Sequence, residues 1–228
     1  MNTKVSILIT TITAMLFILV PITAQNTLTS DEGVIINGIK WATRNVDAPG
    51  TFTANPEDFG MFYQWNSNVG WSAADPLIPS DGISTWNPDW NKRNLDGSIN
   101  TSQRWHATNN VCPAGWRIPS KQELEKLVSA GSVWITVNGV NGRLFGSGDN
   151  TIFLPAAGCR MHSDGRHPRY IKDGALPRIG YYWSRTPNIE FYNNYSYSYA
   201  LLFGNTGVLS FSGIDEHSMG YSIRCVTE

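Results

Sequence analysis

Three sets of residues carry side chains able to act on, or hold, another molecule. The first is a basic loop, Gly158 to Gly180, with His162, Arg166, His167 and Arg169 beside Asp164 and Asp173. Imidazoles and carboxylates could make a metal or acid–base site. However, His162 and His167 stand five apart with no predicted helix beneath them, and neither an HExxH nor a Cys–His ligand pattern is present. The expectation is a solvated loop, with no metal and no cofactor. The second set is the acids Asp164, Asp173, Asp215 and Glu216. Glycoside hydrolysis needs two opposed carboxyls about 5 to 9 Å apart, and no local pattern brings any two of these together. The third set is Cys112, Cys159 and Cys225, which permit one disulfide and leave one cysteine over. With no catalytic constellation in view, the chain is expected not to be an enzyme.

A different chemistry runs from Arg185 to Met219, RTPNIEFYNNYSYSYALLFGNTGVLSFSGIDEHSM. Asn, Tyr, Ser, Phe, Ile and Asp crowd this stretch and Lys is absent. Tyr offers large, rigid contact area at low entropic cost, and Asn and Ser add adaptable hydrogen bonds, so the composition suits a binding surface. The candidate ligand contacts are Asn188, Ile189, Phe191, Tyr192, Asn193, Asn194, Tyr195 and Tyr197 from a first arm. A second arm supplies Asn205, Ser210, Phe211, Ser212, Ile214, Asp215 and His217. The plainer reading is packing: Tyr195–Tyr199 and Val208–Phe211 alternate as strands whose aromatics face one side in cross-strand pairs, so some of these residues belong to the core.

The elements that must position such a surface are readable in part. Val111 to Gly131, VCPAGWRIPSKQELEKLVSAG, is the best-specified stretch. Ser120 and Glu123 form a capping box, Leu124, Leu127 and Val128 share one helical face, and Gly131 closes the C-terminus. Asn37-Gly38 predicts a two-residue type I′ turn between strands Val34–Ile36 and Ile39–Ala42. Val133 to Phe145 reads as two strands about a turn at Asn138-Gly139 or Asn141-Gly142, and Thr151 to Ala156 as a short buried strand. Ala48 to Asn110 holds five of the nine Trp with little periodicity. There, Pro56 to Trp65 predicts a short helix or turn, and the remainder a long loop pinned by its aromatics. GYYWS (180–184) and GYSIRCV (220–226) read as scaffold strands. The class is α+β, with one main helix packed on twisted antiparallel strands and long ordered loops.

The net charge of −1 with sparse, balanced charges gives no case for nucleic acid or an anionic membrane surface. Lys4, the apolar run Val5 to Val20, the Pro21 break and Ala24 have the layout of a secretory signal peptide. This gives a signal at 1–24, a lead-in and first strand at 25–37 with a polar, frayed beginning, and one domain at 38–228. The mature protein is expected to be secreted or on the outer cell surface, without membrane insertion. No Cys at the cleavage region supports a lipoprotein anchor.

CPAGWRIPSKQELEKLV, LPAAG, GYYWS and the terminal GYSIRCV, in that order, resemble the Fibrobacter succinogenes major paralogous domain from about Gly38 onward. The resemblance implies a C-type-lectin-like fold and a non-catalytic recognition or adhesion role toward a protein or glycan on a cell, phage or host surface. It also implies a bridge from helix base to last strand, which makes Cys112 and Cys225 the natural pair, and Cys159 is then read as buried and inert. The lectin calcium–sugar motif is missing, Asn87-Pro88-Asp89 being a partial echo in the wrong loop. The Tyr/Asn/Ser stretch is similar to the diversified regions of variable proteins made by diversity-generating retroelements. The alternatives are an enzyme of the formylglycine-generating-like fold group, or a structural envelope or fimbrial subunit.

Overall fold

A computed structural model describes residues 29–90, 104–166, 179–188 and 197–228, with the side chains of 209–215 left aside. The sheets are antiparallel and short-range in their hairpins. β1 (Val34–Ile36) and β2 (Ile39–Trp41) pair across Asn37 and Gly38, both at positive φ, 48° and 77°. That is the geometry of a type I′ turn, which Asn-Gly adopts at little cost. β6 (Ser132–Val137) and β7 (Val140–Ser147) turn in the same way at Asn138-Gly139, and β8 (Asn150–Pro155) completes that sheet. β9 (Ile179–Asn188), β10 (Tyr197–Gly204) and β11 (Gly207–Glu216) form a second three-stranded sheet with β10 in the middle.

A four-stranded sheet, in the order β1, β2, β12 (Val226–Thr227) and β5 (Trp116–Arg117), brings the first and last described strands together. β12 lies between β2 and β5. Beside it the Cys112–Cys225 disulfide spans 113 residues, and Cys159 is a buried cysteine outside any disulfide. GYSIRCV was expected to be a strand, but only Val226 lies in one. Gly220–Cys225 instead threads the centre of the molecule and exchanges backbone bonds in turn with Arg160, Tyr63, Tyr181, Trp183, Val46 and Ala42.

The single α-helix among the described residues, α1 (Lys121–Ser129), starts at the Ser120 capping box. Arg117 reinforces that cap, with its guanidinium 2.6 and 2.9 Å from the two oxygens of Glu123. Burial alone would raise the Glu123 carboxyl, but hydrogen bonds from Arg117 and Ser120 outweigh it and hold it at about 2. Leu124 and Leu127 are buried against Trp41, Phe145, Leu154, Tyr182, Leu201 and Phe203, with Val128 packed at the edge.

A second core lies on the loop side, around Trp65, Trp183, Tyr221, Phe52, Trp116 and the disulfide. Among the described residues its loops carry only β3 (Phe62–Tyr63), β4 (Gly70–Trp71) and one 3-10 turn, Ala107–Asn109. Pro56-Glu57 is a turn, and strand β3 takes the place of any helix leading to Trp65. Buried loop carbonyls need donors, and two fully buried arginines supply them. Arg160 donates to the carbonyls of Ser72, Ala74 and Gly165 and pairs with Asp75 at 2.9 Å. Arg224 of the RCV motif reaches Ala42 O, Phe153 O and the Asn45 side chain, and its burial lowers it to about 10, so it stays charged at neutral pH.

The described part of the lead-in is held in place at Asp31. Asp31 accepts from the Gly33 and Thr43 amides, the Thr43 hydroxyl and Arg44, and this anchors the chain just ahead of β1.

Candidate functional site

The Tyr/Asn/Ser run 189–196 connects β9 to β10, and both strand ends are fixed. At the β9 end, the Arg185 amide donates to Pro119 O, the Lys121 amide donates to Thr186 Oγ1, and the Ser184 hydroxyl donates to Tyr199 O. Lys121 Nζ sits 4.2 Å over the Tyr199 ring, which ties the start of α1 to the same corner. At the β10 end, Ser198 Oγ and His217 Nε2 are 2.7 Å apart. Both neighbouring strands shift register between Ser198 and Ala200, so β10 bulges at Tyr199.

The Ser198–His217 pair has the separation of a nucleophile and its general base, yet Ser198 is 0% and His217 4% exposed. Burial pushes the His217 ring down to about 3, with the Tyr197 backbone opposing. A neutral imidazole and a hydroxyl, sealed from solvent, lock two strands together and offer no substrate a way in.

Trp65 is the hub beneath this corner. Its ring stacks on His217 at 4.2 Å and meets Trp105 edge-on at 5.3 Å. Its Nε1 donates to Ser184 O, its amide donates to His217 O, and its carbonyl accepts the indole N–H of Trp90. Trp86 Nε1 donates to His162 O and Trp105 Nε1 to Asn109 O. The expectation of a loop pinned by aromatics therefore holds for Trp65, Trp86, Trp90 and Trp105, whose N–H groups all end on backbone carbonyls.

The predicted contact residues fall into four groups. Ile189, Phe191, Tyr192, Asn193, Asn194 and Tyr195 lie outside the described residues. Asn188 and Tyr197 are opposed in the β9–β10 register and half-buried, while Asn205 is exposed in the β10–β11 turn. Ser210, Phe211, Ser212, Ile214 and Asp215 run along β11, an outer strand of its sheet. His217 is a correction: it was expected on the contact face and is instead buried, because its ring stacks on Trp65 and its Nε2 bonds with Ser198.

The basic loop is represented by His162, Asp164 and Arg166, with His167, Arg169 and Asp173 outside the described residues. Arg166 pairs with Asp164 at 3.2 Å, and His162 Nδ1 lies 3.6 Å from Glu216 Oε2. Among the described residues no group of three or more His, Cys, Asp or Glu is gathered to hold a metal.

Two features escaped the sequence reading. One is a cavity of about 260 Å³ beside the hub, whose lining includes Trp105, His106, Arg117, Arg185 and Glu228. The other is an open groove that contains Asp47 and Asp58. Burial raises the Asp47 carboxyl, the Ala48 backbone opposes this, and the charge of Asp58 adds to it. These residues are far apart in sequence or carry no pattern, so only the fold could collect them.

No protein-family model matches the chain, and searches of curated proteins and of solved structures find none similar to it. The class that stands on the geometry is a disulfide-tied, mostly antiparallel α+β protein with a single helix among its described residues.

Proposed function

We propose that this chain is an exported, non-catalytic recognition module of the C-type-lectin-like class, of the kind found in the Fibrobacter succinogenes major paralogous domain. Its partner is a protein or glycan on a cell, phage or host surface. The observation that carries the reading is the mounting of the 189–196 run. A stretch with the composition of a binding loop joins two strand ends that are locked by Ser198–His217, the Trp65 hub and the start of α1. A rigid scaffold that carries a variable polar-aromatic loop is the usual architecture of a binding site. The clasp of β12 between β2 and β5, and the disulfide from the base of α1 to the last strand, support the lectin-like reading. The disulfide also suits an oxidising, extracytoplasmic compartment.

A glycan-array and cell-surface binding screen tests the proposal, comparing the parent with a variant in which Tyr192, Tyr195, Tyr197 and Phe211 are all changed to Ala. Circular dichroism checks folding. Binding by the parent that disappears in a folded variant supports the contact face. Parent and variant binding alike removes it.

A further inference from the structure

The cavity beside the hub has a lining that selects a ligand. It lies where the 3-10 turn, β5, β9 and the residue after β12 meet, and its lining includes Trp105, His106, Ala107, Ile118, Arg185 and Glu228, with Asn110 and Arg117 in the wall. Trp105 has spent its only polar atom inward on Asn109 O, so what it offers the cavity is ring carbon, and Ile118 adds to that apolar surface. Asn110 is also occupied, donating to Trp116 O and accepting from the Cys112 amide.

The charges are unequal in availability. Arg117 is held bidentately by Glu123, and the charge of Glu228 bears on it as well. Arg185 is exposed and has no carboxylate partner among the described residues. The cavity thus presents one unclaimed guanidinium, one acceptor-only carboxylate on Glu228, the imidazole of His106 and a patch of aromatic and aliphatic carbon.

We propose that this cavity binds a sugar acid, a single pyranose ring bearing one carboxylate, as in a uronic acid. The carboxylate pairs with Arg185, whose planar fork matches it. The ring hydroxyls donate to Glu228 and share His106, and the apolar face of the ring packs on Trp105. The volume, just under the about 300 to 1,000 Å³ usual for drug-sized ligands, fits one ring and not several. A phosphate ester is disfavoured, because its second negative charge would face Glu228 with no second unpaired guanidinium among the described lining residues.

This inference shares the recognition reading above but rests on different residues, so the two can fail separately. Ligand-observed NMR titrations of the purified protein with glucuronic and galacturonic acids, set beside glucose, galactose, acetate and inorganic sulfate, test it. Expected is binding of at least one uronic acid, at least about tenfold tighter than its neutral parent sugar, acetate or sulfate. That binding should weaken at least tenfold in Arg185→Ala and in Ala107→Trp, which fills the cavity without altering charge. The Tyr192/Tyr195/Tyr197/Phe211 variant should keep it. Equal binding of the neutral sugar, equal binding of acetate or sulfate, or an Arg185→Ala variant that binds as the parent does would each overturn the proposal. So would a protein that binds neither uronic acid.

Discussion

The two cores of this molecule are built by different rules. On the helix side, Leu124 and Leu127 pack on strands whose backbone groups are satisfied mostly by their own ladders, so most side chains there have only to be apolar and of the right size. On the loop side there is little ladder, and side chains must do the backbone's work. The Trp90 indole and the two buried guanidiniums end on loop carbonyls, at Trp65, Ser72, Ala74 and Ala42, and a disulfide closes the chain over them. The lesson is that a long loop can be as fixed as a sheet when long-range donors reach its carbonyls.

Removing the disulfide should show the contrast most strongly. Cys112→Ala with Cys225→Ala should cost about 4 to 5 kcal/mol for a closed loop of this length. Hydrogen exchange should show protection lost first across the loop side, with α1 and β6–β8 retained the longest. Uniform loss across both cores would erase the distinction.

Trp65→Ala comes next, at about 3 to 5 kcal/mol, against about 2 to 5 for Leu124→Ala. The tryptophan variant should also change the near-ultraviolet circular dichroism of its partners Trp90 and Trp105. A leucine variant markedly worse than the tryptophan variant would mean that the loops merely drape over the sheets.

A third test uses pH. His217 falls from an ordinary 6.5 to about 3, because burial disfavours its charged form. The unfolded chain therefore binds the proton more readily, so this contribution is complete above about pH 6.5 and drains away as pH falls toward 3. Its ceiling is of the order of 4 kcal/mol. Urea unfolding at pH 7, 6 and 5 should show stability falling in the parent and nearly flat in His217→Gln, which keeps a polar partner for Ser198 but does not titrate. Glu123, lowered from 4.5 to about 2, begins to lose its own contribution only below about pH 4.5. The acid sensitivity of the loop side should therefore precede that of the helix cap. Parallel slopes for parent and variant would sink this ordering.

The smallest effect is expected at the cap itself. Ser120→Ala should cost about 1 kcal/mol, and Arg117 gripping Glu123 should keep the helix in place.

What the sequence disclosed follows the same divide. SKQE, Asn37-Gly38 and Asn138-Gly139 act on neighbours within a few residues, so the capping box and both hairpin turns were legible. The Trp65 hub was not, since its partners Trp90, Ser184 and His217 lie 25, 119 and 152 residues away and meet it largely through backbone atoms. Every residue has a carbonyl, so a bond from an indole or a guanidinium to one leaves no signature at the accepting position. For the same reason Arg224 read as part of a terminal motif and Arg160 as part of a basic loop, when both are internal fasteners. His217 was placed on the contact face by composition alone, which cannot tell a ring that meets a partner from one that supports the loop beside it.

The position of β12 also sets a timetable. The sheet begun by β1 and β2 stays open along one edge until residues 226 and 227 arrive, and Cys112 waits for a partner 113 residues downstream. Local hairpins and α1 can form as the chain is made, but the loop-side core cannot close until synthesis has passed Cys225, because Gly220–Cys225 runs through its middle. Contacts so distant in sequence make folding slow. The loop-side core of a nascent chain therefore stays open, its indoles and buried guanidiniums still facing water, until Cys225 and Val226 have been made.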